Sequence, residues 1–293
     1  MPTVNNQMQG KICMITGANS GIGKATALGL AQMGATVVLV SRDRARGEEA
    51  QNEIKAKSGN DAIDLLLADL SSQQSIRQLV ADFKQRYTRL HVLINNAGTF
   101  ALTRRETVDG LEMSFSVNVL APFLLTNLLL DVIKASAPAR IVNVSSNLQA
   151  KNYLKLDDLL SKKRYRPMLG YAQSKLAVVL FTYELARRLE GTGVTANCLH
   201  PGFVATNIAQ RDLALPARLA TKLIFRFGTS PEIGAKTSLY LATSPDVEGV
   251  TGKYFEKSVP RRSAALSYDV SLQQQLWKAC AQLTGLTNEA LQI

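Results

Sequence analysis

The fold follows from one segment near the amino terminus, Lys11-Ile-Cys-Met-Ile-Thr16-Gly17-Ala-Asn-Ser-Gly21-Ile-Gly23. Its first half is an apolar run of strand length, and the glycines lead into an amphipathic segment that ends near Met33. A second apolar run, at 36–40, follows Gly34. Strand, glycine loop, helix and strand make a βαβ unit, which predicts a parallel sheet with a right-handed crossover.

The same alternation continues along the chain, without a linker or an internal repeat. Further helices are predicted at 44–57, 73–87, 112–136, after Tyr171 and at 231–243, and further strands at 63–68, 92–95, 140–145, 194–199 and 252–257. The pattern predicts one doubly wound parallel-sheet α/β domain of Rossmann type over residues 1–293, with its core at about 10–257. A carboxyl-terminal helical extension at about 267–286 is predicted to pack on the core through Trp277 and neighbouring apolar residues.

Two segments depart from the alternation, at about 151–169 and 206–227. Both are predicted to emerge at the carboxyl edge of the sheet, which is where open α/β sheets bind ligands. We therefore expect them to be substrate lids.

Composition excludes several classes of function. Lys and Arg number 34 against 23 Asp and Glu, which gives +11, but the basic residues are scattered, so we expect no nucleic-acid partner. Three distant cysteines and two distant histidines predict neither a disulfide framework nor a metal site. No signal peptide and no transmembrane segment are predicted, since polar residues interrupt the most apolar window at 117–133. We expect a cytoplasmic protein.

The glycine loop predicts a dinucleotide site. Glycines after a strand permit a tight turn and a close approach of a pyrophosphate, which the amino terminus of the next helix then faces. The spacing G-x-x-x-G-x-G differs from the commoner G-x-G-x-x-G. The predicted cofactor contacts in this loop are Gly17, Asn19, Ser20, Gly21, Ile22 and Gly23.

The end of the second strand predicts NADP(H) as the cofactor. An acidic residue there would bind the ribose of NAD, whereas an arginine suits the 2′-phosphate of NADP. The chain has Ser41 followed by Arg42, with Arg44 and Arg46 nearby. Asp43 is the complication, because it could cap the next helix or act as a weak acid for the ribose.

Tyr171 and Lys175 stand four residues apart in a helical pattern, so they share one face of the helix. A phenol has a pKa of about 10, and an ammonium about 6 Å away would lower it by roughly two units. Such a pair can exchange protons near neutral pH. The spacing alone is common in helices, so its interpretation depends on the other motifs.

Together the motifs resemble a known family, the short-chain dehydrogenases/reductases. In the family's order the chain carries Thr16-Gly17-Ala-Asn-Ser-Gly21-Ile-Gly23, Asp69-Leu70, Asn95-Asn96-Ala97-Gly98, Asn118, Ser145-Ser146, Tyr171-x-x-x-Lys175 and Pro201-Gly202. Segments 156–159, 163–165 and 180–193 are similar to the branch of retinol dehydrogenases and the WW-domain oxidoreductase. Unlike in the vertebrate retinol enzymes, no amino-terminal membrane segment is predicted, and no WW modules are predicted.

The resemblance implies a role for each catalytic residue. Tyr171 would exchange the proton with the substrate oxygen, and Lys175 would lower the pKa of Tyr171 and bind the nicotinamide ribose. Ser146 would donate a hydrogen bond to the reacting oxygen, with Ser145 as the alternative. Asn118 would hold a water that links Lys175 to solvent.

Further cofactor contacts are implied in the same way. Asp69, with Leu70 beside it, would reach the adenine, and Asn96 would lie under the adenosine ribose. Val204 and Thr206 would hold the nicotinamide carboxamide.

We expect an NADP(H)-dependent oxidoreductase that interconverts a carbonyl and an alcohol, with an apolar, retinal-like aldehyde or ketone as the small-molecule substrate. The apolar expectation rests on the branch resemblance and on residues expected near the pocket, namely Leu154, Leu156, Leu169, Phe203 and Leu213. The alternatives are a non-catalytic NADP-sensing regulator or scaffold and, less favoured, an extended-type epimerase. Family members often form homo-oligomers, and nothing in the sequence decides this.

Overall fold

A computed structural model describes residues 6–203 and 229–286. Within these ranges one eight-stranded sheet has the order β3-β2-β1-β4-β5-β6-β7-β8. Its strands are β1 Ile12–Thr16, β2 Thr36–Ser41, β3 Ile63–Leu67, β4 Val92–Asn95, β5 Ala139–Val144, β6 Val194–His200, β7 Tyr254–Glu256 and β8 Val259–Arg261. The helices are α1 Gly21–Gln32, α2 Arg44–Ser58, α3 Gln73–Arg86, α4 Met113–Lys134, α5 Pro167–Arg188, α6 Pro231–Thr243 and α7 Val270–Thr284.

The topology is the predicted doubly wound one. β1 pairs in parallel with both β2 and β4, so the strand order reverses at β1 and opens a crevice at its carboxyl end. All strand pairs through β6·β7 are parallel, but β7 pairs with β8 in antiparallel fashion. The sequence prediction missed β8, a three-residue edge strand that contains Pro260 and is exposed throughout. Proline is compatible with a sheet edge, because an edge strand has no second neighbour that needs its N–H.

Helices cover both faces of the sheet. On one face α3, α4, α5 and α7 bury a core that includes Phe83, Phe123 and Phe181. On the other face α1 and α6 pack over β1, β2 and β4. The predicted terminal extension is confirmed as α7, whose Trp277 ring centroid lies 4.9 Å from that of Phe123 and 5.8 Å from that of Phe181.

The long helix α4 corrects one sequence expectation. It is long and apolar enough to cross a membrane by length and composition, although no such window was expected. However, 78% of its most apolar window is buried inside the protein, as in the core helix of a globular domain. The helix is also not uniform, since a π-helical turn, Ser116–Leu120, lies between the turn Met113–Phe115 and the α-helix Ala121–Lys134.

Of the two expected lids, only segment 151–169 lies within the described residues. In segment 151–169 the structure contains a short 3₁₀ helix at Leu156–Asp158 and the start of α5. Segment 206–227 lies outside the described residues.

Candidate active site

A cleft of about 1160 Å³ opens at the carboxyl ends of the parallel strands. It brings together nearly all of the predicted site residues in the described ranges: Gly17, Asn19, Ser20, Gly21, Ile22, Gly23, Arg42, Asp69, Leu70, Asn96, Ser146, Tyr171 and Lys175. Asn118 is the exception, because it does not line the cleft. Val204 and Thr206 lie outside the described residues.

Backbone geometry builds the glycine loop. Gly17 and Gly21 have φ of 66° and 55°, which side-chain-bearing residues adopt at a cost. A Cβ on Gly23 would stand 2.5 Å from the carbonyl oxygen of Gly17 and from Nδ2 of Asn96. The N-cap residue Ser20 makes no side-chain capping bond, so the first N–H groups of α1 remain available to an anion.

Asn96 holds this loop against the end of β4. Its Nδ2 donates to the carbonyl oxygen of Thr16 at 2.8 Å, and the main-chain N–H groups of Asn96 and Ala97 each donate to Thr16 Oγ1 at 3.0 Å. These bonds fix the spacing of the β1 and β4 loops. The implied contact between Asn96 and the adenosine ribose stays a prediction.

The far end of the cleft carries two arginines and one aspartate, Asp43. Arg42 and Arg46 both line it beside the end of β2. Oδ1 of Asp43 accepts a hydrogen bond from the N–H of Arg46 at 3.1 Å, so Asp43 is the N-cap of α2. Oδ1 of Asp69 accepts hydrogen bonds from the main-chain N–H and from the hydroxyl of Ser71. Sequence reasoning did not assign Arg46 a contact, although its place in the first turn after β2 was a usable signal.

Tyr171 and Lys175 lie on α5 and face the cleft together. Nζ of Lys175 is 5.6 Å from the centroid of the Tyr171 ring and donates to the carbonyl oxygen of Val144 at 3.0 Å. The ring of Phe100 meets Tyr171 edge-on at 5.4 Å. The predicted proximity is therefore confirmed.

The structure raises the pKa of Tyr171, whereas the sequence predicts a lowered pKa. Burial raises the pKa of the Tyr171 phenol to about 12. Burial also lowers the pKa of the Lys175 ammonium to about 8. Loss of hydration disfavours the charged form of each group. The phenol is therefore protonated at neutral pH.

The two serines at the end of β5 have different environments. Ser145 is buried, and its hydroxyl donates to the carbonyl oxygen of Lys175 at 2.7 Å. Ser146 is partly exposed; its Oγ accepts from the N–H of Leu148 at 3.2 Å and lies 3.3 Å from Oδ1 of Asn147. Both line the cleft, and Ser146 is the more exposed residue of the two; its choice as the catalytic serine stays a prediction.

Asn118 lies in the π-helical turn and is 2% exposed. Its Nδ2 donates to the carbonyl oxygen of Thr99 at 3.0 Å and to Ser174 Oγ at 2.9 Å, while Oδ1 accepts from the N–H of Thr99 at 2.8 Å. The side chain thus ties the loop after β4 to α5. π-Helical turns are frequent at functional sites, but no spacing in the sequence signals one.

The cleft has an apolar wall, which consists of Phe100, Met113, Val117, Leu148, Met168 and Phe203. Sequence reasoning missed all of these except Phe203. Of the apolar residues expected there, Phe203 is confirmed. Leu154 and Leu156 instead pack against the core, and Leu169 does not line the cleft. Leu213 lies outside the described residues.

The model of the family described as short chain dehydrogenase matches residues 11–214. This chain belongs to that family. It is 46% identical to retinol dehydrogenase 14 of Mus musculus, over 95% of this chain and 87% of the relative. It is 42% identical to polyprenol dehydrogenase of Homo sapiens, over 96% and 87%. A solved structure, the Pseudomonas aeruginosa RhlG/NADP active-site complex, is similar with a TM-score of 0.69 and 26% identity, over 86% of this chain and 96% of the other.

Short-chain dehydrogenases of the retinol dehydrogenase branch interconvert alcohols and carbonyls with a nicotinamide cofactor, and the residues of this cleft fit such a group. The cradle at Gly23 has no room for a side chain, the amino terminus of α1 faces the cleft, and two arginines stand at its far end. Among the described residues no group of three or more His, Cys, Asp or Glu could hold a metal ion.

Proposed function

We propose that the protein is an NADP(H)-dependent reductase of apolar aldehydes or ketones, with Tyr171 as the proton donor. The observation that carries this proposal is the joint placement of Tyr171, Lys175 and Ser146 in the cleft that begins at the glycine loop. The cofactor supplies a hydride when bound. The chain itself has to orient the carbonyl and deliver a proton.

The protonation state of Tyr171 fits the role of proton donor in the reductive direction. A phenol with a pKa of about 12 is protonated at neutral pH and can donate to a carbonyl oxygen. Ser146, with its accessible hydroxyl, stabilises the negative charge that develops on that oxygen. Lys175, whose pKa is about 8, is mainly charged at pH 7 and favours the phenolate that remains after proton transfer. The water that the family resemblance implies at Asn118 remains a prediction, and it would link Lys175 to solvent.

The preference for NADP(H) rests on Arg42 and Arg46. An arginine fork matches a phosphate, and Asp43 is engaged as a helix cap. The similarity to a structure titled as an NADP complex supports the same choice.

The substrate class rests on the apolar wall. Met113, Val117, Leu148 and Met168 line the same cleft as Tyr171 and suit a hydrocarbon chain. Two relatives are named for retinol and polyprenol, which are both long isoprenoid alcohols. We infer that the substrate is the aldehyde or ketone of such an apolar chain.

We also infer that the protein acts in the cytoplasm, where its three buried free cysteines would stay reduced.

The test is turnover. Purified protein with NADPH and a panel of aliphatic, aromatic and isoprenoid aldehydes should oxidise NADPH, fastest with the long apolar members. NADPH binding with no oxidation across the panel would contradict the proposal and favour the regulator alternative. Cell fractionation with a tagged chain tests the location separately.

A further inference from the structure

The turn that carries Ser146 is held by residues that lie far away in the sequence. Ser146 is the N-cap of a 3₁₀ helix, Asn147–Lys151, which follows shortly after β5. Gln149 in this helix is only 4% exposed and does not line the cleft. Its Oε1 accepts a hydrogen bond from the N–H of Ala264 at 2.7 Å, across 115 residues of sequence. The buried amide is therefore placed to hold the chain rather than to bind a ligand in the cleft.

A second hydrogen bond fixes the other end of the 3₁₀ helix. Its C-cap Asn152 has φ of 51°, and Oδ1 of Asn152 accepts from the N–H of Leu266 at 2.9 Å. Both donors belong to one segment, 263–267, which we call the anchoring segment. Within the helix, the main-chain N–H of Gln149 donates to the carbonyl oxygen of Ser146 at 3.2 Å. Gln149 thus links the backbone of Ser146 to the anchoring segment.

The anchoring segment is itself fixed to the helix that carries Tyr171. The hydroxyl of Ser267 donates to the carbonyl oxygen of Ala264 at 2.6 Å and lies 2.6 Å from the hydroxyl of Ser263. The Ser263 hydroxyl in turn lies 2.7 Å from that of Tyr183, which belongs to α5. A chain of hydrogen bonds therefore runs from α5 through the anchoring segment to the turn before the 3₁₀ helix.

The separation of Ser146 and Tyr171 matters for the rate, because both have to reach the same substrate oxygen. Misplacing a reacting group by about 1 Å can lower a rate on the order of a hundredfold. Along the chain the two residues are joined through segment 151–169, whose regular structure is a short 3₁₀ helix and the start of α5. The hydrogen bonds of Gln149 and Asn152 form a second connection to α5, through the anchoring segment.

We propose that Gln149, assisted by Asn152, is a positioning residue for Ser146. It holds the turn at the distance from α5 at which the Ser146 hydroxyl and the Tyr171 phenol reach one oxygen atom. Gln149 itself contacts neither substrate nor cofactor in this scheme. The inference rests on the proposed function, because the position of Ser146 affects a rate only if both groups act on the same oxygen.

A double-mutant cycle with Ser146→Ala separates positioning from folding. Gln149→Met keeps the length of the side chain and removes the acceptor of the Ala264 N–H. We expect it to lower kcat of NADPH-dependent carbonyl reduction about tenfold, with NADPH affinity within about twofold, since a displaced donor stabilises the developing charge less well. In the Ser146→Ala background the same substitution should change kcat by less than about twofold, because no hydroxyl is left to position.

A second variant tests the other anchor without disturbing the backbone. Asn152→Gly removes the acceptor of the Leu266 N–H, and glycine adopts the positive φ of this exposed position readily. We expect kcat to fall about threefold, again only when Ser146 is present. This variant decides the question if Gln149→Met does not fold.

Gln51→Met is the matched control for the loss of one glutamine hydrogen bond. Gln51 donates to the carbonyl oxygen of Ile63 in the edge strand β3 and does not line the cleft, so its removal should leave kcat unchanged.

Equal losses of kcat in the two backgrounds would give Gln149 a structural role only, and unchanged kcat in both Gln149→Met and Asn152→Gly would give it none. Either result overturns the proposal while the wild type still turns over. A wild type that binds NADPH but reduces no carbonyl of the panel would instead reject the proposed function, and this inference with it.

Discussion

The two ends of the cleft are built by different means. At the glycine loop the main chain makes the site, through two positive φ angles and a contact at Gly23 that leaves no room for a Cβ. At the catalytic end, side chains from β5, α4 and α5 meet, and burial sets their protonation. The first kind of site tolerates almost no change of shape, whereas the second depends on single polar atoms. Four predictions test this contrast.

The largest effect is expected from Tyr171→Phe, which removes one oxygen and keeps the ring that packs against Phe100. Loss of a general acid should lower kcat about a thousandfold, because this role contributes about 10²- to 10⁴-fold. NADPH affinity should stay within twofold. Stopped-flow oxidation of NADPH and a binding titration measure the two quantities. More than a tenth of the wild-type rate would show that another group supplies the proton.

Lys175 gives a prediction on stability and pH. Its pKa is lowered on folding from 10.5 to about 8, so the unfolded chain binds more protons between these values and stability rises with pH there. Between pH 8 and pH 10 the wild type should gain about 2 kcal/mol of unfolding free energy relative to Lys175→Met. The raised pKa of Tyr171 makes stability fall with rising pH, but only above pH 10.

Urea unfolding at several pH values measures this difference. Lys236→Met is the control, because Lys236 is exposed on α6 and its removal should leave the pH dependence unchanged. Parallel pH profiles for the wild type and Lys175→Met would show that the burial of Lys175 does not disfavour its charge.

Gly23→Ala tests the main-chain end. The added methyl would meet the Gly17 carbonyl and the Asn96 amide at 2.5 Å, so we expect a loss of about 2 kcal/mol in unfolding free energy and weaker NADPH binding. Gly170→Ala in α5 is the matched control, because its nearest neighbour, Tyr165, would be at 3.6 Å. Chemical denaturation that finds both variants equally stable would refute the steric account.

The smallest effect is expected at the far end of the cleft. Arg42→Ala should weaken NADPH binding about tenfold and leave NADH binding unchanged, since only NADPH carries the 2′-phosphate. Arg44→Ala is the control, because Arg44 pairs with Glu48 and does not line the cleft. Titration of each variant with NADPH and with NADH measures both affinities. An equal loss of NADH affinity in Arg42→Ala would show that Arg42 does not select NADPH over NADH.

The sequence was enough for much of this protein. The βαβ unit, the doubly wound order and the glycine loop follow from local patterns, since strand alternation and the φ needs of glycine act over a few residues. Tyr171 and Lys175 share a face of α5 for the same reason. The family resemblance also placed Asp69, Asn96 and Ser146 at the cleft, which forms where the strand ends of the parallel sheet meet at one edge.

Only the tertiary structure decided the properties that depend on distant neighbours. The raised pKa of Tyr171 comes from burial, which no spacing reports. The π-helical turn directs Asn118 towards Thr99 and Ser174, and β8 exists because a free sheet edge accepts it. Hydration and packing are sums over the whole fold, so they cannot be read from adjacent residues.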